Sequence, residues 1–347
     1  MALIVFGKET KRQPSRAGFT VGRMYEESAS LTWRPLTSGD AKASADLLNV
    51  IETVDKIGEN YNEEDTLQEL IDPYADLERA SLAAFDGDVM VGYMKIRYKP
   101  SAEEVHRVFM DGGVHPDYRR RGVGTVLVEA GVAAAKVVHA LHHPTLKLVV
   151  DVHKAEHIAG VAELVRSQGF APVRYYQRME HPLGDAIPDA AIPDGLRVEP
   201  WSEQNDEDFR LIRNESFKDH WGSAPMPVDS WKNKITNQTF RPEVSFLLRD
   251  VANGAPAGML VTMYWEADTP ATGVRDAHFM LIGTLRDYRK RGVAGALIGH
   301  ALRAAADQDY GRASLSVDSA NPFGAFGVFE RAGFTPKMRY VRWALDV

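Results

Sequence analysis

The sequence predicts an α/β fold, with mixed sheets of the α+β kind, that is repeated in two tandem domains. The 347 residues exceed one typical domain, and an apolar share of 44% is enough for buried cores. Strand and helix signals follow the same order in both halves, about 170 residues apart. One segment is nearly repeated, as DYRRRGVG from Asp117 and DYRKRGVA from Asp287, which indicates an internal duplication.

The elements of the first half can be assigned in chain order. A short strand starts at Leu31, and a helical pattern covers residues 41–51. Two strands flank the turn Asp86-Gly87-Asp88, which is typical of a hairpin. The strand HRVFMDGGV leads into the basic turn and an alanine-rich helix, and a strand LKLVVDV, a helix within 156–167 and a strand VRYYQRM follow. The second half repeats this order from GLRVEPW to MRYVRWAL, so we expect one mixed sheet flanked by helices in each domain.

Two segments without periodicity set the domain boundaries. Residues 1–28 mix basic residues with glycine and proline, and we expect a flexible N-terminal arm there. Residues 184–194 have neither a helical nor a strand pattern, and we expect them to link the domains. The predicted N-terminal domain therefore spans residues 29–183 and the C-terminal domain residues 195–347.

Composition excludes several classes of function. A formal net charge of −7 argues against general nucleic-acid binding, which requires a basic face. We find no run of about 20 apolar residues and therefore expect no membrane partner and a cytoplasmic location. The absence of cysteine excludes disulfides, thiolate metal ligands and a cysteine nucleophile.

The repeated basic turn has the features of an anion site. A glycine-rich turn before a helix exposes backbone N–H groups at the positive end of the helix dipole. Gly122 and Gly124 allow close approach of a phosphate, and Arg119 and Arg121 add charge. A solvated start of a helix would be the alternative for a single copy, but the two copies share nearly the same residues. We therefore predict a polyanion site in each half.

The pattern Arg-x-x-Gly-x-Gly/Ala after a strand resembles the pyrophosphate loop of the GCN5-related N-acetyltransferases. The segment ANPFGAFGVFERAGF is similar to the fourth-helix signature of that family, and RNESFKDHWG from Arg213 is similar to a stretch on the acceptor side of its tandem members. The resemblance covers residues 29–347 and is nearest to the actinobacterial tandem enzymes of the mycothiol synthase type. It implies that the sheet of each domain is splayed beside the loop.

The resemblance also implies acetyl-CoA as co-substrate, direct transfer without a covalent enzyme intermediate, and no metal. The pantetheine arm would pair with the end of the splayed strand, and the loop would hold the phosphates. In the N-terminal half the implied CoA residues are Val114, Arg119, Arg120, Arg121, Gly122, Val123, Gly124 and Thr125. In the C-terminal half they are Ile282, Gly283, Thr284, Arg289, Lys290, Arg291, Gly292, Val293, Ala294, Gly295 and Asn321.

The usual catalytic groups of the family are incomplete in both halves. The positions of its tyrosine acid hold Phe329 and Val165. For the base, the resemblance implies His278, which stands at the position of a carboxylate base in the similar enzymes. The alternative is an ordinary histidine on the surface of a strand. The first half has Val108 at that position, and Asp111 is the fallback base.

Asn321 favours the C-terminal half as the catalytic one. An asparagine at this position of the family contacts the CoA arm, whereas the first half has His157 there. A helix cap before Pro322 is the alternative role. We therefore predict a catalytic C-terminal half and a degenerate N-terminal half that still binds CoA.

The acceptor is expected to be a small-molecule amine, such as an amino sugar, an aminoglycoside-like compound or a cysteinyl sugar. The acidic and aromatic set suited to a cation is Glu215, Phe217, Asp219, His220 and Trp221, and the alternative is a core Trp221 with solvated acids. In the first half, Glu59, Glu63, Glu64 and Asp65 are interpreted as a solvated start of a helix, with a binding patch for a basic substrate as the alternative. Acetylation of protein lysines or N-termini, and a non-catalytic acyl-CoA sensor, remain alternatives, and the chain is expected to be a monomer or a homodimer.

Overall fold

The computed structural model describes residues 30–99, 101–184, 187, 191–321 and 324–347. The predicted arm over 1–28 and much of the predicted linker lie outside these residues. The described helices are α1 (Ala41–Asp55), α2 (Glu63–Leu70), α3 (Leu77–Ala80), α4 (Val123–His142), α5 (Val161–Ser167), α6 (Asp206–Phe217), α7 (Val228–Ile235), α8 (Asp268–Thr272), α9 (Val293–Asp307) and α10 (Ala325–Arg331). The described strands are β1 (Thr32–Arg34), β2 (Ser81–Asp86), β3 (Val89–Tyr98), β4 (Val105–Val114), β5 (Lys147–Ala155), β6 (Ala171–Pro182), β7 (Leu196–Pro200), β8 (Phe246–Asp250), β9 (Pro256–Met263), β10 (Asp276–Thr284), β11 (Arg312–Asp318) and β12 (Thr335–Asp346).

All twelve described strands belong to one sheet, in the order β1-β2-β3-β4-β5-β12-β6-β11-β10-β9-β8-β7. Neighbouring strands are antiparallel except for the parallel pairs β4/β5 and β10/β11. The predicted α/β class with mixed sheets in two repeated halves is confirmed. The halves are nevertheless joined more closely than two independent sheets would be.

The final strand of each half is exchanged with the other half. Strand β6 ends the first half but pairs with β11 of the second, from Tyr176 opposite Asp318 to Pro182 opposite Arg312. Strand β12 ends the chain but pairs with β5 of the first half, and β6 and β12 also pair with each other. The exchange covers sheet edges at β5 and β11 that would otherwise expose unpaired backbone groups. Each half is therefore completed by a strand of the other.

Helices cover both faces of the sheet because alternate strand residues point to opposite sides. On one face, α4 and α9 pack on the two largest apolar clusters. Ala134, Ala135, Ala301 and Ala305 are fully buried there, so the alanine-rich sequence lets these helices approach the sheet closely. On the other face, α1 and the α6/α7 pair cover two smaller clusters.

Helix α4 corrects one composition-based expectation. By length and composition alone it could cross a membrane, although no such segment was expected from the sequence. In the fold its apolar side packs on the sheet, with Val126, Leu127 and Val138 buried. The apolar composition of α4 is therefore explained by its packing in the core of the N-terminal half.

Candidate functional site: two anion loops and their cavities

The basic turns of the two halves have the same backbone conformation. Gly122 and Gly292 cap α4 and α9 with φ values of 84° and 83°. Two residues earlier, Arg120 and Lys290 are also left-handed, with φ values of 63° and 62°. Left-handed residues within such a turn direct successive backbone N–H groups into one concave surface, which binds anions. The turn is therefore built as an anion site in both copies.

The first arginine of each turn stabilises the turn itself. Arg119 donates from Nε to the carbonyl oxygen of Val114 at 3.1 Å, and Arg289 makes the same bond to Thr284 at 3.3 Å. In the N-terminal half, the Arg119 guanidinium also forms a bidentate ion pair with buried Asp55, at 2.7 and 2.8 Å. Arg119 was expected to add its positive charge to a phosphate site. In the structure that charge is already paired with Asp55, which corrects the expectation.

The remaining basic residues of each turn lie at its surface. Arg120, Arg121, Lys290 and Arg291 are all exposed. Arg121 stacks on Tyr118 at 5.3 Å, and Arg291 stacks on Tyr288 at 5.0 Å. Each tyrosine in turn donates to an aspartate of its own half, Asp86 or Asp250. These matched contacts hold one cation, Arg121 or Arg291, beside each anion-binding surface.

Next to each turn, the parallel strands separate. Strand β4 pairs with β5 as far as Phe109 and Asp151, and beyond that point it keeps only its pairing with β3, as far as Val114. Strand β10 pairs with β11 only as far as His278 and Ser314. The separation opens a slot along one edge of β4 and of β10, where an extended ligand can pair with backbone groups.

Each turn and slot opens into one large cavity. The N-terminal cavity measures about 950 Å³ and the C-terminal cavity about 910 Å³. Of the sequence-predicted CoA residues, the N-terminal cavity brings together Val114, Arg119, Arg120, Arg121, Gly122, Gly124 and Thr125. The C-terminal cavity brings together Ile282, Gly283, Thr284, Arg289, Lys290, Gly292, Val293, Ala294, Gly295 and Asn321. Val123, a buried core residue, and Arg291 are not part of the cavity walls.

With this geometry, the comparison with known families is decisive. The model of the Acetyltransferase (GNAT) family matches the chain twice, over residues 48–169 and 207–334. The chain belongs to the GNAT acetyltransferase family. Each match contains one basic turn, so the duplication predicted from the sequence is a tandem GNAT arrangement, and the protein is an acetyltransferase.

Similar proteins are themselves GNAT enzymes. Mycothiol acetyltransferase of Thermobispora bispora is 27% identical over 77% of this chain and 81% of its own length. Mycothiol acetyltransferase of Salinispora arenicola is 26% identical over 89% and 93%. Among solved structures, a GCN5-related N-acetyltransferase from Sphaerobacter thermophilus has a TM-score of 0.71 at 21% identity over 92% of this chain and 96% of its own. A tandem GNAT protein from the clavulanic acid biosynthesis pathway has a TM-score of 0.65 at 16% identity over 91% and 98%. These likenesses agree with the predicted resemblance to tandem enzymes of the mycothiol synthase type.

The far end of the N-terminal GNAT cavity is acidic and hydroxyl-rich. Glu59 lines it and accepts a 3.0 Å hydrogen bond from the Tyr61 hydroxyl. Burial raises the pKa of Glu59, while Tyr61, Arg178 and Lys154 oppose the rise. The interpretation of Glu59 as solvated is therefore wrong, although Glu63 and Glu64 are exposed as expected. Asp65 is also buried, because it closes a capping box at the start of α2.

Asp111, the fallback base, also lines the N-terminal cavity but is paired. Arg97 holds it at 3.0 Å. Burial would raise the pKa of Asp111, but Arg97, Lys95 and Lys154 together bring it below the ordinary value. A carboxylate held as an anion in this way is a weak base. On the opposite strand, Lys154 donates across the slot to the carbonyl oxygen of Gly112 at 2.7 Å.

The far end of the C-terminal cavity is mainly aromatic and apolar. Phe217, Phe279 and Met280 line it together with His220 and Tyr176. Of the five residues predicted for the acceptor, Phe217 and His220 are thus in the cavity wall. Asp219 is outside it and pairs with Arg286 at 2.9 Å.

Glu215 and Trp221 lie elsewhere, which corrects that part of the acceptor prediction. Glu215 is exposed and pairs with Lys218 at 2.8 Å. Trp221 packs between the halves, with the Arg107 guanidinium 4.1 Å and that of Arg174 5.1 Å from its ring. The tertiary structure uses Trp221 for cation–π contacts between strands rather than for an acceptor.

His278 does not line the C-terminal cavity. Its Nδ1 lies 2.8 Å from the Ser314 hydroxyl, and its ring packs edge-on against Trp265 at 5.8 Å. Burial lowers the pKa of His278 to about 4, with Asp276 opposing the shift and Arg178 adding to it. A histidine with this pKa is neutral at pH 7 but binds a proton poorly. These contacts argue against His278 as the base, and its catalytic role stays a prediction.

The two positions of the family's tyrosine acid are filled by core side chains. Val165 is 2% exposed and Phe329 is 8% exposed. Asn321 lines the C-terminal cavity and does not cap α10, because Gly324 is the N-cap residue. Among the described residues, no group of three or more His, Asp or Glu side chains is arranged to hold a metal ion.

Proposed function

We propose that this GNAT enzyme transfers the acetyl group of acetyl-CoA directly to the amine of a small molecule. The observation that carries the proposal is the continuity of each cavity. Basic turn, strand slot and a deeper chamber line one space in both halves. A co-substrate with a diphosphate at one end and a thioester at the other matches that order of surfaces.

The residues in each turn suit the phosphates of CoA. The concave N–H groups bind phosphate oxygens, and the exposed Arg120 and Arg121, or Lys290 and Arg291, add charge-assisted hydrogen bonds. The unpaired edges of β4 and β10 offer N–H and C=O groups to the amides of pantetheine. The thioester would then reach the deeper chamber, where the acceptor amine attacks.

Cavities of about 950 and 910 Å³ have room for a small acceptor beside the co-substrate. The exchanged strands contribute Tyr340 to one chamber wall and Tyr176 to the other, so each chamber has a wall from both halves. Its relatives are named mycothiol acetyltransferases, which supports cysteinyl-sugar and amino-sugar amines as the first acceptors to test. Of the described groups, Glu59 and Glu69 are suited to a positively charged amine.

The test is the release of CoA thiol from acetyl-CoA in the presence of a panel of amino sugars, cysteinyl sugars, aminoglycosides and polyamines. We expect thiol release that depends on one class of amine, together with heat on titration of CoA. Binding of CoA without thiol release for any amine would support an acyl-CoA sensor instead. No heat with CoA, and no competition by adenosine 3′,5′-diphosphate, would overturn the proposal.

A further inference from the structure

Tyr340 is a buried tyrosine with an unused hydroxyl in the N-terminal cavity. It is 8% exposed, and its buried hydroxyl makes no hydrogen bond of ordinary geometry with a described residue, although the Arg178 guanidinium lies close enough to interact with it. It lies on exchanged strand β12, opposite Ala155 of β5, and lines the same cavity as the basic turn at 120–124. An unpaired buried hydroxyl costs free energy unless a ligand engages it. Tyr340 lies in the wall of this cavity, so its buried hydroxyl indicates a functional role.

The strand exchange explains why this tyrosine is absent from the expected position. The N-terminal half carries Val165 where the family's acid would be, and Val165 is core. Tyr340 reaches that half from the other end of the chain, beside the strand that forms one wall of the slot. Its direct partner across the exchanged pair is Tyr176, which lines the C-terminal cavity. The exchange thus gives each cavity one tyrosine from the opposite half.

The wall of the N-terminal cavity also contains two glutamates, Glu59 and Glu69, together with Tyr61 and Tyr93. The described wall of the C-terminal cavity has one carboxylate, Asp318, which lies 3.9 Å from the Arg174 guanidinium. Glu69 is partly neutralised by Lys95 at 2.6 Å, whereas the hydrogen-bond partner of Glu59 is the neutral Tyr61 hydroxyl. Carboxylates and tyrosine rings together favour a cationic ligand.

We propose that the N-terminal cavity is an acetyl-transfer site for a cationic amine, in which Glu59 accepts the proton of the ammonium group and Tyr340 protonates the departing thiolate. The proposal rests on the proposed function. It differs from the sequence-based expectation that the C-terminal half is catalytic, because the tyrosine and the unpaired carboxylate are found together in the N-terminal cavity.

The protons and bonds of the transfer balance. The ammonium group loses one proton to Glu59, and the free amine forms a C–N bond to the thioester carbonyl carbon. When the C–S bond breaks, the thiolate takes the Tyr340 hydroxyl proton. The second proton of the amine nitrogen returns to the phenolate, and Glu59 releases its proton to water. The products are the acetamide, CoA thiol and one free proton.

The electrostatic surroundings suit both roles. The groups facing Glu59 are Tyr61, Arg178, Lys154 and Glu69, and burial gives it a raised pKa, nearer to that of an amine. Burial and the Glu59 charge raise the pKa of Tyr340, and Arg178 opposes them. The phenol is therefore protonated throughout the neutral range, as a proton donor must be. The ring of His153 lies 5.2 Å from that of Tyr340 and is neutral, because burial lowers its pKa to about 4.

The test is Tyr340→Phe, which keeps the ring and removes only the proton donor. We expect kcat to fall by about 100-fold with little change in the KM for acetyl-CoA, since general acids contribute 10²–10⁴-fold. The matched control is Tyr175→Phe on β6, whose ring packs under Arg339 outside both cavities. It should keep wild-type turnover, and both variants should keep the wild-type melting temperature.

Glu59→Gln tests the carboxylate in the same assay. We expect a loss of at least 30-fold in kcat/KM for the amine and loss of the acidic limb of the pH profile, with CoA binding unchanged. Glu63→Gln is its control, since Glu63 is exposed on the first turn of α2. A carboxylate with a purely structural role would change the melting temperature rather than the pH profile.

The outcomes separate this inference from the proposed function. Suppose that the wild-type enzyme acetylates an amine. If Tyr340→Phe then keeps full turnover, or if only Tyr176→Phe loses turnover, the N-terminal assignment is overturned and the proposed function stays intact. Absence of thiol release from the wild-type protein with every amine would overturn both.

Discussion

The two halves carry the same anion turn but differ in the side chains that line the rest of each cavity. Each turn repeats the left-handed basic residue, the arginine bond to the strand end and the arginine–tyrosine stack. Deeper in, the N-terminal chamber has Glu59 and Tyr61 where the C-terminal chamber has Phe217 and Phe279. A site made of backbone N–H groups depends on one conformation, whereas a chamber made of side chains changes with each substitution. The comparison teaches that the duplicated chain repeats its anion turn and varies the other side chains of each cavity.

The largest expected effect concerns the similarity of the two turns. The exposed charges are reversed in two double variants, Arg120→Glu with Arg121→Glu and Lys290→Glu with Arg291→Glu. Each should weaken the binding of CoA at its own turn by more than about 100-fold, because each charge-assisted hydrogen bond contributes about 1.5–3 kcal/mol. Calorimetry should give two CoA per wild-type chain and one in either variant. Lys136→Glu, exposed on α4 and outside both cavities, is the control. An unchanged stoichiometry of two in both variants would contradict the comparison.

The next effect tests a difference between the slots. A Cβ at position 112 would collide with the carbonyl oxygen of Tyr93, and the backbone of Gly112 has a φ of +156°. The corresponding residue of the other half is Ile282, which pairs with Leu260 of the neighbouring strand. Gly112→Ala should lower the free energy of unfolding by about 2–3 kcal/mol. In Gly184→Ala the added carbon meets no atom within 4 Å, so urea unfolding should match wild type. Equal stability of the two variants would show that the backbone beside the slot accommodates a Cβ at position 112, which would contradict this prediction.

A smaller effect is expected at His278. Because it bonds Ser314 and does not line the cavity, His278→Gln should reduce kcat by less than about threefold in steady-state assays. Phe279 is the next residue along the strand and lines the cavity. Phe279→Ala should therefore reduce turnover or stability more than His278→Gln does. A loss of 100-fold or more in His278→Gln would restore the sequence-based assignment of the base to the C-terminal half.

The smallest effect concerns the contact between the halves. Asp268 accepts hydrogen bonds from the backbone and side chain of Asn60, and burial raises its pKa to about 6. A carboxyl whose pKa is higher when folded binds its proton more tightly in the folded state, so this contribution stabilises the protein at low pH and is lost as pH rises through about 6. Asp268→Asn should flatten the urea midpoint between pH 5 and 7 relative to wild type. An identical pH dependence in both proteins would exclude Asp268 as the source.

Most of the fold was predictable because its signals are local. The hairpin at Gly87, the glycine before each long helix and the period of each strand are read within a few residues. Departures are local as well: α5 begins at Val161 rather than near 156 because Gly160 is its left-handed N-cap. The acidic segment gave no periodic signal for α2, whose start depends on the Asn62 and Asp65 capping box.

The site was predictable only at its co-substrate end. Turn residues such as Gly122 and Gly292 act through their own backbone, so motif and site coincide. Glu59 was assigned to a solvated segment, with a binding patch only as the alternative, because its burial depends on elements far along the chain. Tyr340 was missed, although the final strands both carry Tyr-x-Arg, at Tyr176 and Tyr340, a repeat that could have drawn attention to them.

The sequence by itself determined the class of fold, the duplication and the two anion turns, because periodicity, glycine placement and charge act over a few neighbouring residues. Tertiary structure alone decided which strand completes which half. Strands β6 and β12 can each satisfy their backbone hydrogen bonds against either β5 or β11, and local sequence does not distinguish these partners. That choice places Tyr340 in the N-terminal cavity, so the composition of the chemical site depends on a pairing between the middle and the end of the chain.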